Sequence, residues 1–472
     1  MSGLDTPERG FQISRRQALA ALGLVGVAGA DAVTRTPSAY AADRGGVPTI
    51  SGRVVAVGIP GASAIAPVGT FLPGSPIHSN PVLAAFTQPG RVCDPTRIVV
   101  GSRSNFGAPK ANPDQAAGSF LSIDPGGADL AVPDRFAASG GQASALGGAV
   151  QMYSAQSPNW RNGFYTPGAV TADQTAVANP LGMSINNAFG RFWPANAPYG
   201  LNGPGSSSIA DPDGRPLAGA PNPTTGGVYF GDITGRTPTQ VIPGAISKAA
   251  VGTALIGRSP DGSGRAVFAV VVADGSVVQE HTVKALDGIA PPRTVQPLVH
   301  RSWGHDSGHR GRVPLPRLGV LISYAPELIL YVSQPFDDSI KVIELTIGGP
   351  QGNEVFVPSG LRTIRSSALD QPLDLAPVRI DTTHPDHASN TTLQPGSDIY
   401  ICNRGNDTIV RMRQDGTTVG VRRVRLGRHS LGGARLNGIA TSTDGSRIWV
   451  TYVGALPGGD DAEGGVLELP AF

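Results

Sequence analysis

The chain contains little charge, little cysteine and no apolar segment long enough to span a bilayer. Charged residues make up 15% of its 472 residues, and the formal net charge is +2. A balance this close to neutral argues against a nucleic-acid-binding surface and against a polybasic membrane anchor. Neither Gly-x-Ser-x-Gly nor His-Glu-x-x-His occurs, so the usual signatures of serine hydrolases and zinc proteases are missing.

The only two cysteines are Cys93 and Cys402. Two thiols alone cannot form a zinc site of the Cys-x-x-Cys type. Because the two lie far apart in the sequence, two interpretations remain open. In an oxidising compartment they would form one disulfide that joins the two ends of the domain. The alternative is two separate, buried thiols.

Glycine and proline, in contrast, are abundant, with 64 and 42 residues. Both are costly inside helices and suit turns. Short apolar runs rich in β-branched residues recur between these turns, while helical periodicity is scarce. The pattern predicts an all-β protein. The chain is long for one domain, but closed β architectures often exceed the usual domain length.

The first 41 residues have the layout of an export signal. The segment Ser14-Arg15-Arg16-Gln17-Ala18-Leu19 resembles the twin-arginine motif, an apolar run over 18–30 follows, and Ala39-Tyr40-Ala41 is a small-x-small cleavage site. The resemblance implies export of the folded protein by the twin-arginine machinery and a periplasmic or secreted location. Cleavage is expected after residue 41, which leaves a mature domain of residues 42–472.

Several segments share one plan, in which a strand is followed by a polar loop and a second strand. They are 98–124, 328–345, 399–412 and 448–469, and a further hairpin is predicted around 266–278. Asp-Gly pairs suit turns that need a positive φ, so they are expected to close hairpins. These pairs are Asp261-Gly262, Asp274-Gly275, Asp415-Gly416 and Asp444-Gly445.

Two segments of the last third resemble repeats of known β-propellers. Residues 400–409, with the sequence YICNRGNDTI, are similar to the YVTN and NHL repeats. Residues 436–446, LNGIATSTDGS, are similar to the Pro-Asn-Gly-Leu-Ala-x-Ser-x-Asp-Gly element of such propellers, including the gluconolactonase and senescence-marker family, with Leu436 in place of proline. Residues 179–186 resemble a diverged copy of the same element.

The resemblance implies a single β-propeller of about six blades, each a four-stranded antiparallel sheet, formed by residues 42–472. Blades stack around an axis because one blade alone cannot bury both of its faces. Gly/Pro-rich loop insertions are expected near 58–90, 107–118 and 194–227. A pair of β-sandwiches is the alternative fold.

The gluconolactonase resemblance also implies a metal position. That family holds a divalent cation on the propeller axis with Glu, Asn and Asp side chains, and it opens lactones. The resemblance places Asn437 at a metal-binding position. The matching glutamate is missing, because no Glu occurs between residues 47 and 107. Asp337, Asn403 and Asn187 are alternative ligands, and each is also a typical turn residue.

Five of the eight histidines form two groups in loops between the strand units, namely His300, His305 and His309, and His384 and His387. Imidazole binds zinc, copper, iron and nickel, so loops that bring both groups to one mouth of a propeller would form a transition-metal site. Solvent-exposed loop histidines are the alternative. Arg301 and Arg310 suit binding of an anionic ligand through bidentate hydrogen bonds, and a basic, solvated loop explains them equally well.

Two functions follow from these patterns. The first is a non-catalytic binding or scaffold propeller of the cell envelope, with a protein or small-molecule ligand at one mouth. It is favoured because the repeats specify architecture and no catalytic constellation is complete. The second is a metal-dependent enzyme. This would be a lactonase-like hydrolase with a divalent cation such as Ca²⁺ at Asn437, or a lyase or oxidoreductase that uses a transition metal at the histidine loops.

Overall fold

The computed structural model describes residues 46–59, 61–67, 97–102, 119–126, 130–131, 150–153, 179–186, 191–197, 227–232, 240–242, 250–263, 266–272, 277–281, 293–299, 318–324, 327–335, 337–381, 383, 389–457 and 464–472. All regular elements in these ranges are β-strands, which confirms the all-β prediction. Within the same ranges no helix is long and apolar enough to cross a membrane. The predicted leader, residues 1–41, lies outside the described residues.

The strands form six sheets, of which three have four strands. Sheet I contains β3 (Ile65–Pro67), β4 (Ile98–Ser102), β5 (Ser119–Ile123) and β7 (Val150–Tyr153). Sheet II contains β8 (Asn179–Asn186), β9 (Arg191–Ala197), β10 (Gly227–Asp232) and β11 (Gln240–Ile242). Sheet III contains β12 (Ala250–Arg258), β13 (Ala266–Val272), β14 (Val277–His281) and β15 (Arg293–Val299).

The other three sheets have five strands. Sheet IV contains β16 (Val320–Ser323), β17 (Leu328–Gln334), β18 (Ser339–Gly348), β19 (Val355–Arg365) and β21 (Thr392–Leu393). Sheet V contains β1 (Thr49–Ser51), β20 (Pro372–Pro377), β22 (Ile399–Asn403), β23 (Thr408–Met412) and β24 (Thr418–Arg425). Sheet VI contains β2 (Arg53–Val57), β6 (Leu130–Ala131), β25 (Arg435–Thr441), β26 (Arg447–Val453) and β27 (Gly465–Pro470).

The six sheets are arranged in a ring. Their inner strands contact one another in a closed cycle, in the order β3, β8, β12, β16, β20 and β25. The inner strands of sheets IV and V begin at the same end of the ring, because the N–H of Gly319, just before β16, bonds the oxygen of Leu373 near the start of β20 at 2.8 Å. Sheets that stack radially around a common axis define a β-propeller.

The ring is closed by a strand from the start of the described chain. β2 pairs with β27 in antiparallel fashion, with Arg53 opposite Glu468 and Val57 opposite Gly465. Val55 in β2 is fully buried and packs in the apolar cluster that also contains Trp449. In sheet VI, β2 therefore comes from an early part of the sequence, and its neighbours β25, β26 and β27 come from the last part.

The prediction of purely antiparallel, four-stranded sheets is wrong for sheets IV, V and VI. Each gains a strand of two or three residues that pairs in parallel: β21 with β16, β1 with β24, and β6 with β2. Segments this short carry no periodic signal in the sequence. They cover sheet edges that would otherwise expose unpaired backbone groups.

The predicted hairpins are confirmed where the structure describes them. β4–β5, β17–β18, β22–β23 and β26–β27 correspond to the four predicted strand pairs. Three Asp-Gly turns, at Asp261, Asp415 and Asp444, use one chemistry. In each, the carboxylate accepts the N–H of the residue two positions later, at 2.8–3.0 Å. The Asp274-Gly275 pair lies outside the described residues.

The core is divided among the interfaces between sheets. The described side chains form four apolar clusters, and each cluster lies between two neighbouring sheets. In the cluster between sheets VI and I, for example, Trp449 packs with Ile65 and Ile98. Burial of these apolar faces against the next sheet holds the ring together, since it removes apolar area from water.

Candidate functional site

A small cavity lies on the axis of the ring, where the inner strands converge. β3, β12, β16, β20 and β25 contribute to its wall, together with residues 390–391. The space open to a water-sized group is about 20 Å³. This volume accommodates one water molecule or a bare ion. We term it the axial cavity.

Asp374 is the acidic residue in the wall of the axial cavity. It follows a bulge in β20, where the register shifts between Pro372 and Asp374. Asp374 is only 1% exposed, and its Oδ2 accepts the N–H of Ile439 in β25 at 2.7 Å. The bulge therefore turns a carboxylate toward the axis, where it joins the inner strands of sheets V and VI.

Thr253 contributes a hydroxyl to the same cavity. The residue is 2% exposed, and its Oγ1 has no hydrogen-bond partner in the part of the chain that the structure describes. Buried hydroxyls in proteins are nearly always bonded, either to protein or to water. Together, Thr253 and Asp374 form an oxygen-lined site whose chemistry suits a water molecule or a hard cation.

The connection between β20 and β22 reaches the axis. After β20, Ile380 bridges Leu393, and the N–H of Asp381 bonds the oxygen of Thr392 at 3.0 Å. Asn390 and Thr391, just before β21, line the axial cavity. This connection therefore fills part of the centre of the ring with polar residues, at the end where the inner strands finish.

A larger cavity lies beside this connection, between sheets V and VI. It has a volume of about 400 Å³, within the range of ligand-binding pockets. We term it the polar cleft. It is lined by Arg379, Ile380, Asp381, Thr383, Gln394, Thr443 and Asp444.

The backbone around the polar cleft is held in place by contacts between the two sheets. The Thr441 hydroxyl at the end of β25 donates to the oxygen of Pro377 at the end of β20, at 2.6 Å. Gly445, in the β25–β26 turn, has a φ of 72° and approaches Val378 so closely that a Cβ would lie 2.7 Å from the Val378 oxygen. Both the positive φ and the close approach to Val378 require glycine at this position.

The two carboxylates of the polar cleft are held by turns. Oδ1 of Asp381 accepts both the N–H and the hydroxyl of Thr383, at 2.9 and 2.6 Å. Oδ1 of Asp444 accepts the hydroxyl of Ser442 and the N–H of Ser446, at 2.5 and 3.0 Å. The hydrogen bond from Ser442, followed by those from Ser446, lowers the pKa of Asp444 to about 2. Asp444 is therefore ionised throughout the physiological range.

This lowered pKa predicts an acid-dependent contribution to stability. A carboxylate with a folded pKa below its unfolded value stabilises the fold above the unfolded pKa, near 3.8, and loses that effect as the pH falls toward 2. Asp444→Asn should destabilise the protein by less than about 1 kcal/mol at pH 6, because Asp444 is solvent-screened. The difference from the parent should shrink toward zero by about pH 2. Urea unfolding at a series of pH values measures it.

Glu327→Gln, at an exposed carboxylate on another sheet, is the control for a general change in charge. If the difference in unfolding free energy between the parent and Asp444→Asn stayed constant across the acid range, the role assigned to the hydrogen bonds of Asp444 would be contradicted.

Asn437 lies at a bulge in β25, where the register shifts between Leu436 and Gly438. It is buried, and its Nδ2 donates to the oxygen of Ala62 at 2.6 Å, which links sheet VI to the segment before β3. Its neighbour Ile439 lines the axial cavity, whereas Asn437 is not part of that wall. The metal-binding role of Asn437 stays a prediction.

Most of the other residues predicted for a site lie outside the described residues, namely Cys93, Asn187, His300, Arg301, His305, His309, Arg310, His384 and His387. In the ranges that the structure does describe, no three His, Cys, Asp or Glu side chains are grouped closely enough to hold a metal ion. Cys402 is fully buried in β22. Its disulfide with Cys93 stays a prediction.

Two of the alternative ligands, Asp337 and Asn403, take part in turn and loop contacts. Oδ1 of Asp337 accepts the hydroxyl of Ser339 at 2.6 Å, and Oδ2 lies 3.4 Å from Nη2 of Arg365. Nδ2 of Asn403 donates to the oxygen of Ala368 at 2.7 Å. These contacts correspond to the interpretation of both residues as turn-formers.

The sequence analysis missed a pair of carboxylates that join neighbouring sheets. Oδ1 of Asp338, in the β17–β18 turn, accepts the N–H of Gln371 just before β20, at 2.8 Å. Oδ1 of Asp407, in the β22–β23 turn, accepts the N–H of Leu436 in β25, at 3.3 Å, and Oδ2 lies 2.8 Å from Nη1 of Arg435. Each carboxylate thus bonds the beginning of the next inner strand.

A repeated pattern in the sequence marks these two turns. The two copies are Asp337-Asp338-Ser339 and Asn406-Asp407-Thr408. In each, the middle aspartate has a positive φ, 50° in the first copy and 54° in the second. The side chain of the first residue accepts a hydrogen bond from the hydroxyl of the third. Burial raises the pKa of Asp407, and the neighbouring Arg435 opposes this shift. Both copies lead directly into a strand that contains isoleucine. This repetition in the sequence was the available signal for the two contacts between sheets.

No protein-family model matches the chain, and no curated protein matches it. Solved structures of similar shape exist. Regucalcin, a calcium-binding protein from Agrobacterium tumefaciens, is 10% identical over 90% of this chain and 94% of its own, with a TM-score of 0.41. PhoX from Pseudomonas fluorescens is 10% identical over 90% and 97%, with a TM-score of 0.43. The aldose sugar dehydrogenase from Streptomyces coelicolor is 11% identical over 90% and 99%, with a TM-score of 0.37.

Proposed function

We propose that the chain is an exported, six-bladed β-propeller that binds a small polar ligand without transforming it. In this proposal each of the six sheets is one blade, residues 1–41 are a twin-arginine leader, and the mature protein acts in the periplasm or outside the cell. The export signal supports the location, since its charged, apolar and small-residue regions follow the order of a leader.

The observation that carries the binding role is the polar cleft. Its backbone is fixed by hydrogen bonds between sheets V and VI, yet several of its side chains remain available. Arg379, Gln394 and Thr443 line the cleft, and among the described residues their side chains make no hydrogen bond or ion pair. A fixed concave site with uncommitted polar groups is typical of ligand-binding pockets.

The axial cavity favours a second candidate, a metal-dependent propeller enzyme. Asp374 and Thr253 provide oxygen donors next to a space of ionic size. Oxygen donors suit Ca²⁺ or Mg²⁺ better than a transition metal, which would require the histidine groups. A bound divalent cation would supply Lewis-acid polarisation of a substrate oxygen. Asp374 would hold the cation and keep its bond to Ile439.

One purification tests both candidates. The protein is produced with its leader, recovered from the export compartment without chelator, and subjected to N-terminal sequencing, elemental analysis and ligand titration. The proposal predicts a mature chain that begins at Ala42 and binds a small polar compound saturably. It also predicts that Arg379→Gln binds the same compound more weakly. The control Arg428→Gln, at an exposed arginine of another turn, should bind like the parent.

Stoichiometric calcium that is lost in Asp374→Asn would favour the enzyme with an axial cation. A stoichiometric transition metal that is lost in His305→Ala or His387→Ala would favour the histidine version. Turnover of a bound compound would overturn the non-catalytic role. Retention of the full-length chain in the cytoplasm would overturn the export part of the proposal.

A further inference from the structure

The polar cleft is lined by charges of both signs. Arg379 belongs to the segment that follows β20, while Asp444 belongs to the β25–β26 turn. Asp381 lies two residues after Arg379, at the point where the chain turns toward the axis. The cleft therefore presents one cation and two anions around a single cavity.

In the part of the chain that the structure describes, the Arg379 guanidinium has no partner and is available to a ligand. The backbone of Arg379 is fixed, because its N–H bonds the Ser397 hydroxyl at 3.0 Å and its oxygen accepts the N–H of Gln394 at 3.0 Å. Its side chain passes over Gly445, whose added Cβ would lie 3.5 Å from Cγ of Arg379. Among the described residues, no carboxylate pairs with this guanidinium. A planar guanidinium without a carboxylate partner suits a ligand carboxylate that binds through two hydrogen bonds.

Asp381 supplies the complementary group. The residue is 2% exposed, and Oδ1 is committed to the Thr383 turn. In the described part of the chain, Oδ2 accepts no hydrogen bond, and the residue lines the cleft. Asp381 also lies near the partly buried Tyr324, whose pKa is raised by desolvation and further by this carboxylate. A buried carboxylate with one uncommitted oxygen attracts a cationic donor such as an ammonium group.

We propose that the polar cleft binds a small zwitterion, an α-amino acid or a short peptide, with its carboxylate on Arg379 and its ammonium group on Asp381. Asp444 adds a second negative charge to the cleft, and the Gln394 amide and the Thr443 hydroxyl supply further hydrogen bonds. This inference rests on the proposed binding function and names its ligand class. The charges of the site, one positive and two negative, match a ligand that carries both signs.

The test is titration calorimetry of the mature protein with glycylglycine. N-acetylglycylglycine lacks the ammonium group, and glycylglycinamide lacks the carboxylate. Each blocked peptide is expected to bind about tenfold more weakly than glycylglycine, the loss for one charged hydrogen bond. Arg379→Gln should remove the preference for the free carboxylate, and Asp381→Asn should remove the preference for the ammonium group. Asn retains the oxygen that holds the Thr383 turn.

Matched controls are Arg428→Gln and Asp415→Asn, at an exposed arginine and at an aspartate in a similar turn elsewhere. Both should bind glycylglycine like the parent. Equal affinity for free and blocked peptides would overturn the zwitterion assignment. If glucose binds instead and Arg379→Gln weakens it, the binding function stands and the ligand class is wrong. If neither glycylglycine nor glucose binds, both the zwitterion assignment and the binding role of the polar cleft fail.

Discussion

Val55→Asp is expected to destabilise the protein by about 4 kcal/mol or more, the cost of burying an unpaired charge. Val55 is fully buried in β2 and packs against the cluster between sheets VI and I. The substitution therefore acts on the strand that closes the ring. We expect both a lower unfolding free energy in urea and cleavage of the N-terminal segment by protease under native conditions.

Thr49→Asp is the control for this prediction, because Thr49 is an exposed residue of the neighbouring β1. It should unfold like the parent. If Val55→Asp kept the parent's midpoint and protease resistance, β2 would not be required for closure of the ring. The fold around β27 would then depend on the remaining strands of sheet VI alone.

Gly319→Ala is expected to cost about 2–3 kcal/mol, because overpacking against backbone cannot relax through a change of rotamer. A Cβ at this position would lie 2.4 Å from the Leu375 nitrogen and 2.7 Å from Cα of Asp374. The Gly319 N–H also donates to Oγ of Ser333 at 2.8 Å, which fixes this backbone. Urea unfolding measures the loss.

The matched control is Gly433→Ala, since the nearest atom to a Cβ there is the Ala455 oxygen at 3.9 Å. It should be neutral or slightly stabilising, because alanine restricts the unfolded chain more than glycine does. Parent-like stability of Gly319→Ala would show that the inner strands of sheets IV and V can separate at little cost. The close approach beside Asp374 would then not be required by the fold.

The sequence predicted local elements well, because their signals are local. The Asp-Gly turns at Asp261, Asp415 and Asp444 follow from side-chain chemistry within three residues, and all three are confirmed. Strand pairs such as β22–β23 follow from apolar runs on both sides of a short polar turn. The propeller itself was inferred from a resemblance, and the closed cycle of inner strands confirms that class of fold.

Features that depend on distant parts of the chain were not predicted. Nothing in the apolar run of β2 indicates that it pairs with β27 and not with a neighbour in sequence. The polar cleft combines Arg379 and Asp381 with Asp444, which come from two different sheets. Asp374 was also missed, although its position after a bulge resembles the bulge at Asn437 in β25. A comparison of the inner strands with one another would have identified it.

The pairing of β2 with β27 also constrains the order of events during synthesis. The ribosome makes β2 first among the strands of sheet VI, and its antiparallel partner is made only when translation reaches residues 465–470. Until then β2 lacks its antiparallel partner, and its apolar side can pack only against earlier residues such as Ile65 and Ile98 of sheet I. Contacts between such distant segments slow folding. The ring of this protein therefore cannot close until β27 has been made, however early the other sheets form.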